Sequence, residues 1–474
     1  MKLKRKLEVL VLAVLAASGS IVRADDTTAD QIKALREQID ALDQKVRILE
    51  RQQELNQQAA ETKSKELPNI TLNSSGLTVN SADTNFAIGL HGVLQTDTRT
   101  FIKDNGIQGN GGFILRRARP ILSGTVYRDF DFMFIPDFGG TSGPQIYDAY
   151  VNYRYRPWLQ FRGGKFKSPI GLEQLQSDVN ITFNERSLAT DLVPNRDLGF
   201  MLWGDVAGGV ASYAAGIFNG VGDAQNSGNN TFDDHHEFEA RLFLQPFKKT
   251  EWTPLQGLGF GLAGSYGNIR SNSTALPGKT GGTLPGFTTD GQQQFFAYNP
   301  TTNGTISADG THWRLSPQGY YYWGPIGLLG EYVISDQGVR GSAKPFAEKH
   351  LDNTAWDITG SWVLTGEDAS FNGIVPKHPF DLAAGHWGAF QIAARYAELN
   401  VDKAAFPDFA NSASSASAAQ AWSVGLNWYL NRNIRVDASY SRTTFTGGGT
   451  GTSAPGIITR QPEQVFFTRL QLGF

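Results

Sequence analysis

The sequence has no cysteine and only three methionines, and charged residues occupy just 18% of its 474 positions. Without thiols there can be no disulfide framework, no thiolate metal site and no cysteine nucleophile. Also missing is any apolar run of the roughly 18 to 20 residues that a membrane-crossing helix needs. The stretch from Leu7 to Ala17 falls well short, so any insertion into a bilayer has to use strands. Basic charge is not in excess either. If the first 24 residues are removed, 37 Lys and Arg face 44 Asp and Glu, a net charge of −7, which argues against a nucleic-acid partner.

What is abundant is glycine and aromatic residues: 53 Gly, 30 Phe, 15 Tyr and 10 Trp. Aromatics of that number would supply girdles at two membrane interfaces, and glycine suits tight turns and crowded barrel positions. The first residues read as an export signal. Lys2, Lys4, Arg5 and Lys6 precede the short apolar run, and Val22-Arg23-Ala24 places small residues at the recognition positions for cleavage after Ala24.

Residues 25–67 form a different segment. From Thr28 to about Lys65 there is no Gly or Pro, and Ile32, Leu35, Ile39, Leu42, Val46 and Leu49 recur at helical steps of three and four. This spacing predicts a short periplasmic coiled coil whose apolar seam ends before Gln53 and Asn56. β-branched residues at a with Leu at d favour two strands, whereas Lys45-Val46-Arg47-Ile48-Leu49-Glu50 resembles a trimer-favouring pattern. A single amphipathic helix packed on another surface is the other reading.

From residue 68 to 474 the period is two. Phe86, Ile88, Leu90 and Leu94 oppose His91, Gln95 and Asp97; Phe238, Ala240, Leu242 and Leu244 oppose Glu237, Glu239 and Arg241. The last strand puts Phe466, Leu470, Leu472 and Phe474 on one face and Arg469, Gln471 and Gly473 on the other. A strand that alternates to a terminal aromatic residue is what barrel-assembly machinery recognises in outer-membrane clients, so Phe474 is the expected contact. Polar connections of unequal length intervene, among them Gly220 to Asn230, Ser271 to Gln294, Ala410 to Ala419 and Gly447 to Gly456. At roughly 25 residues per strand and connection, the segment predicts an all-β, transmembrane antiparallel barrel of about 16 strands, wide enough for a water-filled pore.

Several motifs in this segment resemble the phosphate-selective porins O and P of Gram-negative bacteria. They are Phe86 to Gln95, Arg116-Arg117-Ala118 with Gly124 to Phe130, Phe166 with Gly171-Leu172-Glu173, Leu364 to Glu367, Gly425 to Tyr429, and Arg469-Leu470-Gln471. The resemblance implies a trimeric, sixteen-stranded porin with an inward-folded third loop and a basic ladder leading to a phosphate site. It places Arg116 at a binding-site arginine and Asp148 at a nearby acid. Val93 stands where the family has a site Arg, Gln174 where it has a Lys, and the arginine-rich segment beyond Tyr266 is reduced to Arg270.

Alternation gives an independent list of inward candidates: Arg154, Arg241, Arg395, Arg435 and Arg469, with Asp97, Asp129, Asp131, Asp148, Glu237, Glu239 and Asp437. The wall therefore reads as mixed in sign. Proline and glycine at 169 and 171 break a strand that ends in Lys165 and Lys167, and Glu185, Arg186, Asp191, Arg196 and Asp197 follow. This is the expected constriction, with Arg116, Arg117 and Arg119 as the other basic cluster. Adjacent Arg116 and Arg117 must face opposite ways on a regular strand, unless a bulge intervenes.

His235-His236-Glu237 lacks the helical spacing of a metal site, and nothing resembles a nucleophile elbow, so no catalysis, metal or cofactor is expected. The sequence points to an outer-membrane channel for passive diffusion of small anions such as phosphate. A weakly selective general or sugar-permeable porin, and an envelope tether built on the coiled coil, are the alternatives.

Overall fold

A computed structural model describes residues 26–102, 109–140, 143–229, 235–270, 284–298, 304–342, 347–449 and 459–474. The export signal expected at residues 1–24 lies outside these. The chain divides into two units, Met1–Leu67 and Pro68–Phe474. In the first, helix α1 runs from Asp26 to Glu66. Its seam residues Ile32, Leu35, Ile39, Leu42, Val46 and Leu49 are all exposed in the single chain.

The second unit opens with a hairpin of β1 (Asn69–Asn73) and β2 (Gly76–Asn80). The wall follows as β3 (Ala87–Phe101), β4 (Gly112–Val126), β5 (Phe130–Asp137), β6 (Gln145–Arg156), β7 (Leu159–Lys167), β8 (Arg196–Val206), β9 (Ala211–Phe218) and β10 (Glu237–Leu244). It continues with β11 (Leu258–Arg270), then, after a short hairpin of β12 (Phe287–Thr288) and β13 (Gln294–Phe296), with β14 (Ile306–Trp323), β15 (Ile326–Gly341) and β16 (Glu348–Val363). The last four strands are β17 (Ala389–Asn400), β18 (Ala416–Tyr429), β19 (Ile434–Gly447) and β20 (Glu463–Gly473). Each wall strand pairs antiparallel with its neighbours, and β20 returns to β3. Among the described residues, sixteen strands thus make a closed antiparallel barrel, as the repeat length predicts. Closure extends to the last residue, because Phe474 and Gly92 exchange both backbone hydrogen bonds.

Alternation assigns the two faces. On β20, Phe466 and Leu470 are exposed outward, while Val465, Phe467, Arg469 and Gln471 are buried inward. An outward apolar face can meet lipid, and closure leaves no unpaired edge within the bilayer. Asp129, expected inward, instead sits exposed on the tight turn after β4.

The connections depart from simple expectation at both ends. Ser271 to Gln294 reads as an outer polar loop, but its described part folds into the barrel as the β12–β13 hairpin. Phe287, Phe295 and Phe296 are fully buried there, against Leu188, Leu192 and Val193 of loop 168–195. Each such phenylalanine contributes about 1.5–3 kcal/mol of burial. At the opposite end, the connection 364–388 is far longer than a barrel turn. It too reaches inward: the Phe371 carbonyl accepts from Gln176 Nε2 at 2.9 Å.

Candidate functional site: the constriction loop

Loop 168–195 crosses the lumen as a belt. It is held at one side by β14 and β15, where Gln318 Nε2 donates to the Ile170 carbonyl at 2.7 Å. There the Glu331 carboxylate accepts from the N–H groups of Leu172 and Glu173, which open the short helix α2 (Leu172–Leu175). On the far side, Asn427 Nδ2 donates to the Thr182 carbonyl at 2.9 Å and Gln471 Nε2 to the Val179 carbonyl at 3.0 Å. Strand side chains on opposite walls thus supply partners to backbone groups that the irregular stretches of the belt would otherwise leave unsatisfied.

Two bulges then aim side chains at this belt. In the β3–β4 pairing Gln95 opposes Arg117 and Thr96 opposes Leu115, so Arg116 is the extra residue and both arginines point inward. In β5–β6, Ile135 opposes Asp148 and Pro136 opposes Ile146, which leaves Tyr147 as the bulged residue beside Asp148.

Arg116 binds Glu185 through both Nε and Nη2, at 2.6 and 2.9 Å. Arg99 Nη2 reaches the same carboxylate at 2.9 Å, and Arg469 Nη2 lies 3.9 Å from it. Asp178 gathers a second set: Arg117 at 3.5 Å, Arg186 at 2.6 Å, and Arg119, which also binds Asp137 at 2.6 Å. Arg469 is closed by a bidentate pair with Asp97 at 2.7 Å. Burial opposes ionisation of the two loop acids, yet the guanidinium groups around them win. Arg117, Arg186 and Arg119 hold the Asp178 carboxyl far below the usual range, and Arg116 with Arg99 does the same for Glu185. Arg99, Arg116, Arg117, Arg119, Arg186 and Arg469 therefore share Asp97, Asp137, Asp178 and Glu185, leaving an excess of two positive charges. Arg99 Nε, Arg117 Nε and Arg469 Nη1 are buried donors with no protein acceptor.

The other predicted residues are placed less centrally. Arg196 and Arg119 stack on either contact of Tyr147, each guanidinium carbon 3.7 Å from the ring centroid, and Arg196 Nε lies 3.4 Å from Asp148. Lys167 Nζ donates to the Leu175 and Gln176 carbonyls of the belt at 3.3 and 2.7 Å. Lys165 stands apart from the arginine network: its Nζ donates to the Ser227 carbonyl at 2.6 Å and so anchors the segment that follows β9. Sequence reading overlooked Arg99, Asp137 and Asp178. Arg99 was within reach, since it is the next inward position after Gln95 and Asp97 on β3. Asp178 carried no signal, because only the folded belt brings it beneath β4.

A family match now bears on this geometry. The phosphate-selective porin O and P family matches residues 88–467. The chain belongs to this family. Porin O of Pseudomonas aeruginosa is 24% identical over 418 residues, covering 81% of this chain and 90% of that protein. Among solved structures, the outer-membrane channel DcaP of Acinetobacter baumannii aligns with TM-score 0.49 and 10% identity over 85% of this chain and 99% of its own. An anion-selective porin from Comamonas acidovorans aligns with TM-score 0.48 and 11% identity, over 82% of this chain and all of that one. Family membership makes the protein a channel of the bacterial outer membrane and identifies the belt-crossed barrel as its pore.

Proposed function

We propose that the pore passes small oxyanions such as phosphate by binding-assisted diffusion, with Arg116, Arg117, Arg119 and Arg186 forming the attracting rim. The observation that carries this reading is the two-charge excess of the guanidinium network where the belt narrows the lumen. A guanidinium fork matches phosphate oxygens, and donors already held in place by carboxylates lose little freedom on meeting an anion. Those same carboxylates keep binding shallow enough for release, which a conducting site requires. Asp148, Lys165, Lys167 and Arg196 support the rim rather than line it.

A weakly selective general porin is the second reading. It is favoured by Val93, which opposes Arg119 across β3–β4 without adding charge, and by Gln174, an uncharged belt residue bonded to Asn195. Reversal potential in a planar bilayer under a KCl gradient separates the two. Anion selectivity with block by low-millimolar phosphate supports oxyanion passage, whereas weak or cation selectivity without block supports the general porin.

We further propose that the protein is exported by cleavage after Ala24 and assembles as a homotrimer. The exposed seam of α1 would add apolar contacts between three copies in the periplasm, and Phe474 would be the handle for barrel assembly.

A further inference from the structure

The six arginines of the constriction network are held by carboxylates, but Arg162, Arg241 and Lys167 just beyond it are not. A cavity of about 450 Å³ lies between the inner faces of β5–β10 and the start of the belt, on the side of the belt that faces the tight turns. Tyr150, Arg162, Phe166, Lys167, Trp203 and Arg241 line it.

Arg162 is the central group. Its guanidinium carbon is 4.4 Å from the Tyr150 ring centroid, 4.7 Å from that of Trp203 and 5.4 Å from that of Phe166. The Trp203 indole is itself fixed, since its Nε1 donates to Asn152 Oδ1 at 2.8 Å. Among the described residues no carboxylate lies within ion-pair distance of Arg162, and its buried Nε has no acceptor. Arg241 donates to the neutral Gln318 Oε1 at 2.9 Å and lies 4.5 Å from the Phe243 ring. Lys167 meets only backbone carbonyls. The two acids at the cavity are already engaged, Asp148 with Arg196 and Asp205 with Ser212 Oγ at 2.7 Å.

A half-buried cation surrounded by rings, with a donor left unsatisfied, offers an anion charge and apolar contact at once. We propose that this cavity is an exit subsite for small organic anions that carry a flat apolar body, an aromatic carboxylate being the simplest. The carboxylate is met by Arg162, Arg241 and Lys167, and the body by the aromatic wall. A bare inorganic oxyanion gains only the first of these. The inference rests on the anion-channel reading above and adds a second substrate class to it.

The test is current block of the full-length protein in planar bilayers, with benzoate, acetate and phosphate added in turn to the side facing the tight turns. Benzoate is expected to block at concentrations at least tenfold below acetate, and both Arg162→Gln and Trp203→Ala are expected to abolish that difference. Arg241→Gln provides an independent variant should Arg162→Gln fail to fold, and is expected to weaken benzoate block severalfold. Equal block by benzoate and acetate, or benzoate block that survives these substitutions, overturns the subsite. Phosphate block and the KCl reversal potential, read in the same membranes, report on the constriction separately. If those show anion selectivity while benzoate fails, only the subsite falls; if they fail too, the anion-channel reading falls with it.

Discussion

Arg116 and Arg117 are adjacent in sequence, yet both reach carboxylates of the same belt, Arg116 binding Glu185 at 2.6 Å and Arg117 lying 3.5 Å from Asp178. The bulge at Arg116 makes this possible and turns one strand position into two pore positions. Arg116→Gln is expected to weaken phosphate block about tenfold, the worth of one charge-assisted contact. Titration of single-channel current with phosphate checks it, and an unchanged block would remove Arg116 from the rim.

The bulge also needs room behind it. A Cβ on Gly139 would lie 2.7 Å from Arg117 Cα and 2.9 Å from the Ala118 nitrogen, both backbone atoms with little freedom to move. Gly139→Ala is therefore expected to cost about 1–3 kcal/mol as an overpacked site. The heat-dependent gel shift of the folded barrel measures this, and a lower phosphate affinity should accompany it.

Removing a shared carboxylate should trade stability for selectivity. Glu185→Gln frees Arg99 and Arg116 from their common partner, raising the network excess from two charges to three. Anion selectivity in a KCl gradient is expected to increase. The belt is expected to lose about 3–5 kcal/mol of docking, as when one side of a buried ion pair is deleted, with more current noise as the visible sign.

Asp191 predicts a pH dependence of the loop packing. Its Oδ2 accepts from the Thr288 N–H at 2.8 Å, tying the belt to the β12–β13 hairpin. Burial pushes this carboxyl up to about 8, with nearby Asp290 and Asp223 adding to the effect. In the unfolded chain it titrates near 4. The folded form thus keeps a proton that the unfolded form has released, so this contribution is complete below about pH 4 and is lost as pH rises through about 8. Thermal midpoints should fall between pH 4 and 8, and Asp191→Asn should flatten that fall; parallel curves would assign the dependence to other groups.

Deleting residues 28–65 distinguishes the two roles proposed for α1. As an assembly clamp its loss lowers oligomer stability on native gels and leaves conductance intact. Loss of function in cells with stable, conducting oligomers would instead identify a tether.

The barrel was legible because period-two alternation survives wherever one face meets lipid, as on β3, β10 and β20. The constriction was legible as a region, since Pro169 and Gly171 mark where the strand must end. What could not be read was local register. Alternation predicts one inward residue from Arg116 and Arg117, and only the pairing with β3 reveals both. The loop 271–294 misled for a related reason: its glycines and threonines look solvated, while Phe295 and Phe296 just beyond it supply the apolar residues that draw the hairpin inward. Asp178 was invisible because its role is set by contacts distant in sequence.

The hairpin's buried phenylalanines have one further consequence. They pack weakly polarisable volume against Leu188, Leu192 and Val193 of the belt, the loop that also carries Glu185 and Arg186. Water there cannot reorganise freely on that side, so field lines from the guanidinium groups spread less and are screened less by mobile ions. A passing anion therefore experiences a deeper well than two charges in bulk electrolyte would provide, and that depth should persist at salt concentrations that erase ordinary surface attraction.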